Sequence, residues 1–183
     1  MLGHSAAHPL NLDKEGLSES HIRGYDPKIA GAESDERDMH WLMVRVIFLC
    51  VRFVPELFKS WFINCRSKQT RVAVEPWMGK YFSPLIINDA LDDVAKWAED
   101  QGSTGDEGGE LMIKVSRTAR EVMAGYEVDE SIAAVTIKVP GSYPIEGIAV
   151  SGTSRAVVNE RKWQSWVRTT QGVITFSVSL TLF

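Results

Sequence analysis

The apolar pattern changes its repeat length once along these 183 residues, and that change decides what the chain can fold into. Up to about residue 100 the hydrophobic side chains recur at the 3.6-residue period of helices. From residue 111 they recur at the 2-residue period of strands. Leu111, Ile113 and Val115 alternate with Met112, Lys114 and Ser116. Val122, Ala124, Tyr126 and Val128 alternate with Glu121, Met123, Gly125 and Glu127, and Val135, Ile137 and Val139 with Thr136 and Lys138. Three half-buried strands joined by short turns make an antiparallel meander, because parallel strands need long crossovers between them. The turn near Asp129-Glu130 has no glycine to fix its type. Residues 145–150 offer a fourth short strand. Asn159 caps a closing helix that is expected to bury Trp163, Trp166, Val167 and Thr170 and to end near Gly172. The order from residue 86 is thus helix, four strands, helix. This is an α+β unit with its helices on one face of the sheet.

The helical half is strongly apolar at its centre. Residues 41–63 (WLMVRVIFLCVRFVPELFKSWFI) are long enough to span a bilayer. Arg45, Arg52, Glu56 and Lys59 oppose that reading, at roughly 2.5–3.5 kcal/mol for a charge at mid-bilayer. At 100° per residue these four fall in a sector of about 60°. The pattern predicts a helix packed among neighbours, with one polar edge in water, and Pro55 should kink or split it. Residues 66–71 read as a basic connection. Residues 72–82 read as a short helix interrupted at Pro76 and stopped by Pro84. Asn88 or Asp89 can cap a helix through about Asp100, with Leu91, Val94, Ala95 and Ala98 inward. The glycine-rich, acidic residues 101–110 make a flexible loop. Six tryptophans agree with extensive helix packing.

Charge divides the chain further. Residues 1–38 carry net −4, 39–85 net +5, 86–110 net −7 and 111–183 net +2. This predicts a mostly irregular N-terminal segment over 1–38 (with one short helix at most), a helical segment over 39–85 and the α+β unit over 86–183. Chemistry is scarce throughout. The sequence has no phosphate-cradling glycine loop, no His-Glu-x-x-His, no nucleophile elbow and no Cys-x-x-Cys. Cys50 and Cys65 cannot form an all-cysteine zinc site, and His4, His8, His21 and His40 all precede the strands. No catalytic or metal-ligating residue is expected, and the two thiols read as inert, in a reducing intracellular setting. Arg155, Arg161, Lys162 and Arg168 flank the last helix with Glu160 as their acidic neighbour. They form a candidate docking surface for RNA or an acidic partner. Tyr143-Pro144 marks a rigid turn just after a strand, and Trp163 and Trp166 read as core.

Three ordered blocks resemble one family. These are Arg120-Glu121-Val122-Met123-Ala124, residues 139–144 (VPGSYP) and residues 162–172 (KWQSWVRTTQG). They are similar to the C-terminal RWD domain of listerin, the RING-type E3 ubiquitin ligase. Residues 51–68 (VRFVPELFKSWFINCRSK) and 80–85 (KYFSPL) resemble the last helical stretch before that domain. The similarity covers roughly 40–177. It implies the end of a helical-repeat arm followed by an RWD-like four-stranded meander packed against helices. It further implies a cytosolic place in ribosome-associated quality control, in which the arm reaches around a stalled large ribosomal subunit and a RING ubiquitylates the nascent chain. The implied partners are the large subunit and the quality-control complex subunits. A ubiquitin-conjugating enzyme would be engaged only through the RING, with no membrane contact, and the chain is expected to be a monomer. No cysteine follows Cys65, so the RING and its zinc are missing here, and no cofactor is expected in this chain. The apolar ending reads as a truncated or mis-spliced product, and residues 86–183 alone are expected to aggregate. A stand-alone RWD-type interaction module is the alternative. A diverged ubiquitin-conjugating enzyme would need a cysteine after the sheet.

Overall fold

The structure is a computed structural model, and it describes residues 19–24, 35–101, 110–128, 131–155 and 159–180. Five helices come first: α1 (Glu19–Gly24), α2 (Asp35–Phe53), α3 (Pro55–Asn64), α4 (Lys68–Tyr81) and α5 (Ser83–Gln101). Four strands follow, β1 (Glu110–Ser116), β2 (Glu121–Val128), β3 (Ser131–Lys138) and β4 (Ala149–Arg155), and α6 (Glu160–Leu180) closes the fold. The sheet order is β1-β2-β3-β4, antiparallel throughout. The chain therefore has the α+β architecture, with the meander that the 2-residue period requires.

Prolines set most of the helix boundaries. Pro55 is the first residue of α3, where its missing N–H removes no helical bond. Val54 before it is pushed out of the helical region (φ −134°, ψ 52°), which separates α2 from α3. Pro84 also sits in the first turn of its helix, so it starts α5 rather than stopping α4. The Phe82 carbonyl accepts from Ile86 N–H and joins the two helices without a loop. As a result α5 begins five residues before the expected cap at Asn88. Pro76, expected to interrupt a helix, lies inside α4. Its ring and Val72, whose carbonyl it leaves without an intrahelical donor, are both exposed, so water can serve that carbonyl. α4 also starts earlier than expected, because Ser67 accepts from Thr70 N–H at 3.1 Å and turns the basic connection into a capped first turn. α2 starts at Asp35, within the segment expected to be irregular, and α1 is the one short helix anticipated there.

Two adjoining cores share α5. Ile86 belongs to a helical core with Val44, Phe48, Val51, Phe58, Val74, Trp77, Met78 and Phe82. Ile87 and Leu91, round the same helix, belong to a second core with Val122, Ile113, Val115 and Ile137. The expected division at 85/86 thus falls inside α5. Tyr143 is packed against both cores.

The polar stripe of α2 and α3 reaches water, as expected, but it is also tied to other helices. Arg45 donates to the Ile22 carbonyl of α1 at 3.3 Å. Arg52 and Arg23 both donate to Asp89 of α5, at 2.9 and 2.6 Å. Arg45 is half-buried by its contact while Arg52 stays exposed beside Asp89, and Leu42, Val46, Phe53, Leu57 and Trp61 are exposed as well.

In the sheet, residues 145–148 are turn and coil, and the fourth strand runs over 149–155. The turn at Asp129-Glu130 and the acidic loop over 102–109 lie outside the described residues. The hairpin between β1 and β2 closes with Arg120 at φ 55°, a left-handed conformation that costs roughly 1–2 kcal/mol for a residue with a Cβ. Its carbonyl accepts from Val139 N–H at 2.9 Å, which ties the hairpin to the end of β3.

Candidate docking surface

α6 is the element on which the sequence places a docking surface, and two devices fix it to the sheet. The first is a close approach. The Trp163 indole lies on Gly152 of β4 so tightly that a Cβ there would stand 2.5 Å from Nε1 and 2.8 Å from Cε2 and Cζ2. Trp163 is 6% exposed. Gly152 pairs with Val135, in the sheet row of Ala124 and Ile113, so α6 covers the same face as α5. The second is a side-chain amide that imitates a strand. Gln171 Oε1 accepts from Val150 N–H at 2.8 Å, and Gln171 Nε2 donates to the Ile148 carbonyl at 2.9 Å. Sequence reasoning did not single out Gln171. Its spacing held the signal: eight residues after Trp163 it falls on the same helix face, where an amide needs partners.

The helix start is as the cap predicts, with Asn159 Oδ1 accepting from Arg161 N–H at 2.9 Å. The end is not, because α6 passes through Gly172 to Leu180. No side chain or distant backbone lies within 4 Å of a Cβ built at Gly172, so nothing there forces a stop.

Buried Trp163 and the half-buried Val167, Gln171 and Ile174 define the inner face of α6. Arg161, Lys162 and Arg168 project on the outer face, all exposed, and they make no ion pair among the described residues. Trp166 joins them: it is 44% exposed, against the expectation of a core position. Three residues advance a helix by 300°, which carries Trp166 to the edge of the inner face. Its ring is 6.3 Å from that of Trp163 in an edge-on arrangement, and the Lys162 ammonium lies 5.3 Å above it. Arg155 closes β4, and its side chain lies outside the described residues.

The Tyr143-Pro144 turn lies at the seam between the helices and the sheet. Its peptide bond is cis and Pro144 is fully buried. The buried Ser83 hydroxyl of α5 donates to the Tyr143 carbonyl at 2.6 Å. Burial pushes the Tyr143 phenol up to about 12, and the Glu56 carboxylate adds to the effect, so the phenol stays protonated at neutral pH. A cavity of about 240 Å³ opens beside it, between Glu56 and Lys59 of α3, Pro144, Ile148, and Gln171 and Ile174 of α6. Among the described residues no cluster of His, Cys, Asp and Glu could hold a metal ion, and no helix is long and apolar enough to cross a membrane. Cys50 and Cys65 are free thiols.

These features match known proteins in two blocks. The LTN1 family HEAT repeat region matches residues 1–95, and the ubiquitin conjugating domain-like model matches residues 111–177. The E3 ubiquitin-protein ligase listerin of Neurospora crassa is 51% identical over 97% of the chain. The chain belongs to the listerin family of E3 ubiquitin ligases. The listerin of Schizosaccharomyces pombe is 30% identical over 91% of the chain, and that of Saccharomyces cerevisiae 31% identical over 65%. The chain spans 11%, 10% and 7% of the lengths of these three listerins. The boundary between the two matched blocks lies past the middle of α5, close to where the apolar period changes.

Proposed function

We propose that this chain is the part of a listerin that docks on a stalled large ribosomal subunit and holds a RING over the nascent chain. One observation carries the reading. The outer face of α6 presents three cations that make no ion pair among the described residues, beside an exposed indole, on a helix that Trp163 and Gln171 fix to the sheet. A cationic face on an immobilised helix suits an anionic partner surface, because little backbone ordering remains to oppose binding. The exposed apolar edge of α2 and α3 suits packing against further helices of a repeat arm. In this reading the chain works in the cytosol as a monomer, alongside quality-control complex subunits. It meets a ubiquitin-conjugating enzyme only through the RING, which also carries the zinc. These 183 residues then transfer no ubiquitin themselves, since the block like a ubiquitin-conjugating domain contains no cysteine to form a thioester.

Co-sedimentation with purified large subunits tests the reading. The chain should pellet with subunits at low salt, and Arg161→Glu combined with Arg168→Glu should release it. Failure to pellet at about 50 mM salt, or equal pelleting by the double variant, overturns docking through α6. Ubiquitin discharge by the isolated chain overturns the assignment of the chemistry to another segment.

A further inference from the structure

We infer that the outer face of α6 binds an unpaired stretch of RNA, with Trp166 stacking on a base and Arg161, Lys162 and Arg168 meeting phosphates. The inference rests on the docking role of α6 and specifies the chemistry of its partner. An acidic protein surface would satisfy the three cations but would give no use to the indole. Trp166 is 44% exposed while Trp163, three residues earlier, is 6% exposed, and the exposed one borders the cations. Aromatic faces next to cations are how single strands are held without sequence preference, since every base has a π-face and every linkage a charge.

The helix geometry fits such a strand. Arg161 and Arg168 are seven residues apart, which puts them on one stripe about 10 Å from each other along the axis. Lys162 and Trp166, one turn apart, form a second stripe about 130° round the helix, so the two stripes flank the outer face. A strand lying along the outer face between the two stripes can therefore set a base on Trp166 while its phosphates meet Lys162 on one side and Arg161 and Arg168 on the other. The Lys162 ammonium now lies 5.3 Å over the Trp166 ring. Both groups are exposed, so the ammonium can move to a phosphate as the base takes the ring face. Duplex RNA offers no free base to the indole and should bind less tightly.

The test is fluorescence anisotropy of the full chain with a labelled, unstructured RNA of about ten nucleotides, a length in the range of known single-strand sites. Three phosphate contacts predict a log–log salt slope of about −2, or roughly twentyfold weaker binding at 200 mM than at 50 mM salt. Arg161→Gln, Lys162→Gln and Arg168→Gln should each reduce the slope by about 0.7. Trp166→Ala should weaken binding about tenfold with the slope unchanged, and Trp166→Phe should restore most of the loss. A poly-glutamate peptide of similar charge that binds as tightly as RNA, with Trp166→Ala indifferent, overturns the inference in favour of an acidic protein. Large subunits that co-sediment while the RNA fails to bind also overturn it, and leave the docking role standing. RNA binding without co-sedimentation supports the inference and removes the docking role.

Discussion

Gly152→Ala adds one methyl group to an exposed position of an edge strand, a change that ordinarily stabilises. Alanine gains roughly 0.5–1 kcal/mol over glycine within a strand, because glycine loses more freedom on folding. Here the new methyl would stand 2.5–2.8 Å from three atoms of the Trp163 indole. Ordinary carbon contacts lie at about 3.5–4.0 Å, so either the indole or β4 must retreat by about 1 Å. Overpacking of that kind costs roughly 1–3 kcal/mol, which exceeds the backbone gain. A net loss of about 1–2 kcal/mol is expected. The decisive comparison uses the second background. Trp163→Ala should itself cost about 3–5 kcal/mol, and once the indole is gone Gly152→Ala should be neutral or stabilising by up to about 1 kcal/mol. Urea denaturation followed by far-UV circular dichroism on all four chains gives the coupling directly. An equal loss in both backgrounds would show that the indole does not rest on Gly152, and the attachment of α6 would need another account.

Other expectations concern the polar contacts that hold the layers together. Gln171→Leu leaves Val150 N–H and the Ile148 carbonyl without the amide and should cost about 1–3 kcal/mol, with faster amide exchange at Val150. Asp89 is held below the ordinary carboxylate range, first by the hydrogen bond from Arg23 and then by the charges of Arg23 and Arg52, against opposing desolvation. Its contribution is therefore complete above the unfolded value near 3.8 and is lost as pH falls through the lower folded value. Asp89→Asn should flatten the acid limb of the stability profile below about pH 4, and a chain whose acid limb is unchanged would disprove the role of the pair. Tyr143 has the opposite sign: the unfolded phenol ionises near 10 while the folded one waits until about 12. Stability should fall between those two pH values, and Tyr143→Phe should remove that fall, as read from urea midpoints at pH 9 and 11.5.

Much of this fold could be read from residue order, and the misreadings share a cause. The three strands of the meander follow from side chains alternating between two faces, which is a local property. The cap at Asn159 and the break before Pro55 are local too. The errors arose where a second element decided the outcome. Pro84 and Pro76 read as stops, but the first lies in an opening turn and the second on an exposed face, facts fixed by neighbouring helices. Arg45 and Arg52 read as a purely solvated edge because their partners, the Ile22 carbonyl and Asp89, are distant in sequence, although Arg52 does keep its exposure. Trp166 read as core from its spacing to Trp163, although the inner face is centred on Trp163, Val167, Gln171 and Ile174, and Trp166 falls at its edge. Arg161, Lys162 and Arg168 were legible as a group, because three cations with Glu160 as their one acidic neighbour on a capped helix have few places to go but outward. Gln171 was legible only as an amide on the inner face, because its spacing from Trp163 does not reveal which two backbone groups wait across the layer.

The sharing of α5 between two cores has a mechanical consequence. Ile86 and Ile87 are consecutive in the chain and lie 100° apart on the helix, so rolling α5 about its axis tightens one set of contacts and loosens the other. The helical half and the sheet half cannot pivot freely at this joint. A load applied to the outer side of α6 should therefore reach α2 and α3 as a rigid displacement, with no swivel in between to absorb it.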